Sequence, residues 1–166
     1  MISPDAVSGL HRFFEFVDGA TFSELVGLDP REKLALVKVV ALAMHADGVV
    51  VGEEVEFLED VVAQLPAFED ADDTELAGFR SQAVISVAAA HDTEGGVDDE
   101  LADIAKVLTS PQLREVTYGM AVAMTWADGV VVGLERDFLV TLATALNIEG
   151  QRAAELDEAA RAWLCD

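Results

Sequence analysis

Cysteine and basic residues are the scarcest chemistry in this chain. Cys165, beside the C-terminus, is the one cysteine, so no intrachain disulfide can form and no thiolate metal cluster can be built from one chain. That usage fits a reducing, cytoplasmic setting. Lys and Arg number 10 against 32 Asp and Glu, a formal net charge of -22. A surface so acidic repels phosphate backbones and anionic headgroups, which excludes nucleic acid as a partner and attracts metal cations or basic protein surfaces. Long apolar runs are missing too. The longest, Val116 to Ala127, contains Thr117, Tyr118, Gly119 and Thr125 and is too short to cross a bilayer, so it reads as a buried helix without direct membrane insertion. The opening residues MISPDAV carry neither the basic residues nor the apolar core of a signal or transit peptide.

Enzyme signatures are equally sparse. The chain has no Gly-rich phosphate loop ending in GK[ST], no G-x-G-x-x-G, no G-x-S-x-G, no H-E-x-x-H and no C-x-x-C. The E-x-x-H pairs of di-iron helix bundles are also missing. The sequence therefore supports no catalytic residue and no organic cofactor, and the expectation is a protein that is not an enzyme.

What is present is helix-forming sequence with clear punctuation. The 166 residues are 52% hydrophobic with a mean hydropathy of +0.31. They can bury a real core, and one domain spanning 1–166 is expected. Cap residues followed by Pro, or by an acid three positions on, mark helix starts at Ser3-Pro4, Thr21 with Glu24, Asp29 with Pro30 and Glu32, Asp72 with Glu75, and Ser110-Pro111. Apolar residues follow at helical spacing, as in Leu76, Phe79, Ala83 and Val87. No stretch alternates as a strand would, and the triplets Val49–Val51 and Val130–Val132 read as linkers. The pattern predicts an all-α bundle of about nine helices. His45, Met44, Met120, Met124, Trp126 and Trp163 read as core packing, His91 as exposed, and His11 carries no specific signal.

Sliding the chain along itself exposes an internal repeat at one constant offset. Asp29-Pro30 falls on Ser110-Pro111, and Ala46-Asp47-Gly48 on Ala127-Asp128-Gly129. Val49 to Gly52 fall on Val130 to Gly133, Glu54 on Glu135, Phe57 on Phe138, Leu58 on Leu139 and Leu65 on Leu146. Residues 29–65 and 110–146 thus each read as helix, connector, helix, and two such hairpins can bury their apolar faces about a pseudo-twofold axis. The middle segment, 72–108, reads as a helix ending near His91, an acidic turn HDTEGGVDDE and a short helix through Leu108.

Each connector pairs an Asp closing one helix with a Glu opening the next: Asp47 with Glu54, and Asp128 with Glu135. The Glu suits the positive end of a helix dipole. The Asp sits at the wrong end, at a cost of about 0.3 to 1 kcal/mol, and either orders the Gly turn through its own hydrogen bonds or is offset by a cation. The spacing matches the second half of the calcium loop D-x-[DN]-x-[DN]-G-x5-E. The first half fails, with Ala43 and His45 in one copy and Met124 and Trp126 in the other, so this is no EF-hand. Two carboxylates per hairpin remain, and four brought together could share calcium, magnesium, manganese or zinc. His45 would suit zinc, but its counterpart is Trp126. Asp92, Asp99 and Glu100 in the acidic turn are secondary metal candidates, although acids there also suit a solvated loop and a helix start.

The ADGVVVGxE motifs, with Glu53 or Leu134 at x, resemble the tellurite-resistance TerB family. Its mark is a helix ending in A-D-G, a short apolar turn and a Glu starting the next helix. The likeness covers 29–65 and 110–146 well, the middle loosely, and the first 28 and last 20 residues hardly at all. It implies a compact all-α fold of two pseudo-repeats and a role in tellurite or other chemical stress. It also implies an acidic metal-binding surface, here Asp47, Glu54, Asp128 and Glu135, and protein partners in a stress-response complex peripheral to the inner membrane. Two other readings stay open: an acidic protein-interaction scaffold with no metal site, and a metal-dependent hydrolase using the same acids.

Overall fold

The computed structural model describes residues 28–44, 72–126 and 133–165. Among them six helices are found and no strand: α1 (Pro30–Met44), α2 (Asp73–Asp92), α3 (Gly96–Val107), α4 (Pro111–Trp126), α5 (Gly133–Ala145) and α6 (Gly150–Cys165). The all-helical expectation holds for this part of the chain. The helix starts expected at Ser3-Pro4 and Thr21 lie outside the described residues.

Local chemistry sets the helix starts where the sequence places them. At α1 the Asp29 carboxylate accepts from the Glu32 amide at 2.9 Å, and the Glu32 carboxylate accepts from the Asp29 amide at 3.2 Å. This reciprocal capping box satisfies two otherwise orphaned donors, and Pro30 fills the first helical position, where a missing N–H costs nothing. At α2 Asp72 accepts from the Glu75 amide at 2.8 Å. At α4 the Ser110 hydroxyl receives the Leu113 amide at a long 3.4 Å. Repeat two thus keeps the cap and the Pro but replaces the reciprocating Glu32 by Leu113, which is buried in the core.

α1 and α4 open the two repeats, and both are core helices. From Ala35 to Ala43 every residue of α1 is buried except Lys38, and the run Val116 to Val122 in α4 is buried throughout. A helix apolar on all sides must be surrounded. Accordingly α1 packs on α2, α3, α4 and α5, while α4 packs on α1, α5 and α6. The buried Thr117 on α4 donates back to the Leu113 carbonyl at 2.7 Å, so its hydroxyl is satisfied without a partner from another helix. Met120 is buried as expected.

The remaining helices cover this pair. α2 buries Ala83, Val87 and Ala90 and rests Leu76 and Phe79 partly against the core, which is the stripe the sequence spacing predicts. α3 buries Leu101 and Ile104, and α5 contributes Phe138, Leu139, Leu142 and Ala143. The acidic turn is shorter than the sequence reading. His91 and Asp92 end α2, Asp98 to Glu100 already lie in α3, and only 93–95 separate the helices. Two adjacent glycines make so tight a reversal possible. Gly95 has φ +72, which side-chain-bearing residues resist, and a Cβ on Gly96 would collide with the Ala90 carbonyl.

Candidate functional site

The repeated connectors fall largely beyond the described part of the chain: Asp47, Glu54 and Asp128 lie outside the described residues. Glu135 belongs to the first turn of α5, the end of a helix where a carboxylate is electrostatically favoured. Its side chain is not among those described. α1 and α4, the helices that lead into the two connectors, are in direct contact with each other.

The secondary candidates are placed in full. Asp92 is the last residue of α2 and is exposed, and Asp99 is exposed in the first turn of α3. Glu100 points back to the core pair, where its carboxylate meets Lys38 Nζ at 2.8 Å, the two side chains being 19% and 21% exposed. Lys38 is the single charge on the inner stretch of α1, from Ala35 to Ala43, so this ion pair is how that otherwise apolar stretch accommodates a cation. Among the described residues no three His, Cys, Asp or Glu side chains come together as a metal-binding group. His91 is exposed at the end of α2.

A second set of charged groups, unmarked in the sequence reading, gathers where α4 starts and α5 hands over to α6. Arg114, in the first turn of α4, donates from Nε to the Leu108 carbonyl, from Nη2 to the Ala105 carbonyl at 2.7 Å and from Nη1 to the Leu146 carbonyl at 3.2 Å. These carbonyls lie at the C-terminal ends of α3 and α5, where the last peptide groups lack intrahelical donors and carry partial negative charge. One planar guanidinium therefore closes two helix ends onto the start of a third. α5 ends in a Schellman turn, with Ile148 N–H donating to the Ala143 carbonyl at 2.9 Å and Asn147 N–H to the Thr144 carbonyl at 3.1 Å. Asn147 adopts φ 57, the left-handed conformation this motif requires.

On the far side of the same joint, Arg152 of α6 holds Glu115 of α4 through two parallel hydrogen bonds, Nε–Oε1 at 2.8 Å and Nη2–Oε2 at 3.0 Å. Its Nη1 also meets Glu155 at 3.0 Å. Glu115 first, then Glu155, push the already strongly basic guanidinium still further up. Arg114, Glu115, Asn147, Glu149 and Arg152 surround a cavity of about 420 Å³ above Leu146 and Ile148. Both guanidiniums are engaged in holding helices together, so the chemistry of the joint is structural. Two sequence signals could have pointed there: an Arg in the first turn of a repeat helix in so base-poor a chain, and Asn147 just past an apolar helical run.

Deeper in α4, Tyr118 is buried, and its phenol is pushed up to about 12 from 10.0, chiefly by burial and secondly by the negative charge of Asp157 on α6. No described helix is long and apolar enough to cross a membrane. No family model, no curated protein and no solved structure matches this chain.

Proposed function

We propose that the protein is a non-enzymatic, TerB-like stress-response module that binds divalent cations through its repeated connectors. The observation that carries this reading is the identical placement of Asp-Gly-x5-Glu in both repeats, Asp47 to Glu54 and Asp128 to Glu135. On the sequence pattern each Asp falls at the electrostatically unfavourable end of its helix, a cost of about 0.3 to 1 kcal/mol that a shared cation would offset. Further support comes from the equivalent starts of α1 and α4, at Pro30 and Pro111, and from their direct packing. In this reading the two hairpins are related by an approximate twofold that draws the connectors together. An all-oxygen donor set suits hard cations such as calcium, magnesium or manganese better than zinc. Gly48 and Gly129 supply the backbone freedom next to each Asp. The setting is cytoplasmic, with protein partners at the inner membrane.

The second reading is an acidic interaction scaffold without a metal site. It is favoured by the exposed acids Asp92, Glu94, Asp98 and Asp99, which run from the end of α2 through the turn into the first turn of α3. A calorimetric titration separates the two. Metal-stripped protein is titrated with calcium, magnesium, manganese and zinc beside a variant carrying Asp47→Asn, Glu54→Gln, Asp128→Asn and Glu135→Gln, whose fold is first checked by circular dichroism. Saturable binding that is lost in the folded variant supports the metal site. Equal binding by both proteins, or none by either, removes it and leaves the scaffold reading.

A further inference from the structure

We draw no further inference here: the strongest candidate, the solvent-facing side of α2 around Ile85 between its acidic ends, exposes one large apolar side chain among small neighbours, and nothing in the structure shows what covers it.

Discussion

Arg152 and Glu115 face each other as a fork on a carboxylate, at 2.8 and 3.0 Å, and join α6 to α4. The two side chains are 33% and 22% exposed, so solvent screens the pair, and its net worth is about 1 kcal/mol or less despite the good geometry. Arg152→Lys keeps the charge but loses the fork. It is expected to lower stability nearly as much as Arg152→Ala, and a double-mutant cycle with Glu115→Gln should return a coupling of about 0.5 to 1 kcal/mol. Urea unfolding of the native protein, the two Arg152 variants, Glu115→Gln and the Arg152→Ala, Glu115→Gln double variant measures both. Coupling indistinguishable from zero would mean that the fork contributes nothing to holding α6 on α4.

Arg114 should matter more. Its three hydrogen bonds go to carbonyls at two helix ends, and removing a donor from partly buried acceptors costs about 1 to 3 kcal/mol. Arg114→Met, which retains much of the aliphatic stem, is expected to destabilise by about 2 to 3 kcal/mol. Arg114→Lys should recover little of this, because one ammonium on a flexible stem cannot reproduce a planar fork. Thermal melts followed by circular dichroism decide the matter, and a Met variant as stable as the native protein would contradict the clamp.

Backbone geometry gives a third test, at two positions where an added Cβ is penalised for different reasons. Asn147 sits at φ 57, where glycine is at ease and alanine is strained by roughly 1 to 2 kcal/mol. Asn147→Gly should therefore leave stability nearly unchanged, while Asn147→Ala lowers it by about 1 kcal/mol. At Gly96 the difficulty is steric, since an added methyl meets backbone rather than a movable side chain. Gly96→Ala is expected to cost about 1 to 3 kcal/mol. Chemical denaturation of the three variants under identical conditions provides the comparison.

These tests also mark what the sequence could and could not disclose. Caps are local: Asp29 and Asp72 act on amides three residues ahead, so their effect is written in four consecutive residues. The α2 stripe is local in the same sense. The Arg114 clamp and the Arg152–Glu115 fork join residues far apart in the chain, and no spacing rule announces such a meeting. The acidic turn is shorter than its composition suggests, because its acids suit a loop and a first helical turn equally well. The paired glycines decide between the two by permitting a reversal of only three residues. The core role of α4 was legible from its uncharged, mostly apolar sequence, whereas the ion pair of Lys38 with Glu100, whose place among the turn acids suggests a metal ligand, required the packing of α1 on α3.

Tyr118 offers a clean spectroscopic handle because it is the single tyrosine of the chain. Burial, then Asp157, raises its pKa to about 12, so the folded state holds the phenolic proton more tightly than the unfolded chain, which releases it near 10. The stability this contributes is complete below pH 10 and is lost as pH rises through about 12, on the order of 2 to 3 kcal/mol across the window. Absorbance of the tyrosinate band should lag behind a model tyrosine and rise together with loss of helical circular dichroism. Tyr118→Phe should flatten this part of the pH dependence. Titration near 10 with the helices intact would show the phenol to be open to water.

The connectors make a prediction about stability as well as binding, and its sign depends on the cation. If Asp47 and Asp128 are unfavourably placed at helix ends, neutralising them in metal-stripped protein relieves a cost of about 0.3 to 1 kcal/mol at each position. The Asp47→Asn, Asp128→Asn variant, which keeps a side-chain oxygen able to accept the turn hydrogen bonds, should then melt higher than the native protein in chelator. Saturating calcium or manganese should reverse the order, because an ion bound only by the folded native protein stabilises it in proportion to the logarithm of its concentration over Kd. Matched melts in chelator and in metal, with ionic strength held constant to remove general screening of a chain charged to -22, test both halves. A variant less stable than native in chelator would show that the aspartates act through turn hydrogen bonds that asparagine cannot replace. An order that metal leaves unchanged would show that these carboxylates hold no cation.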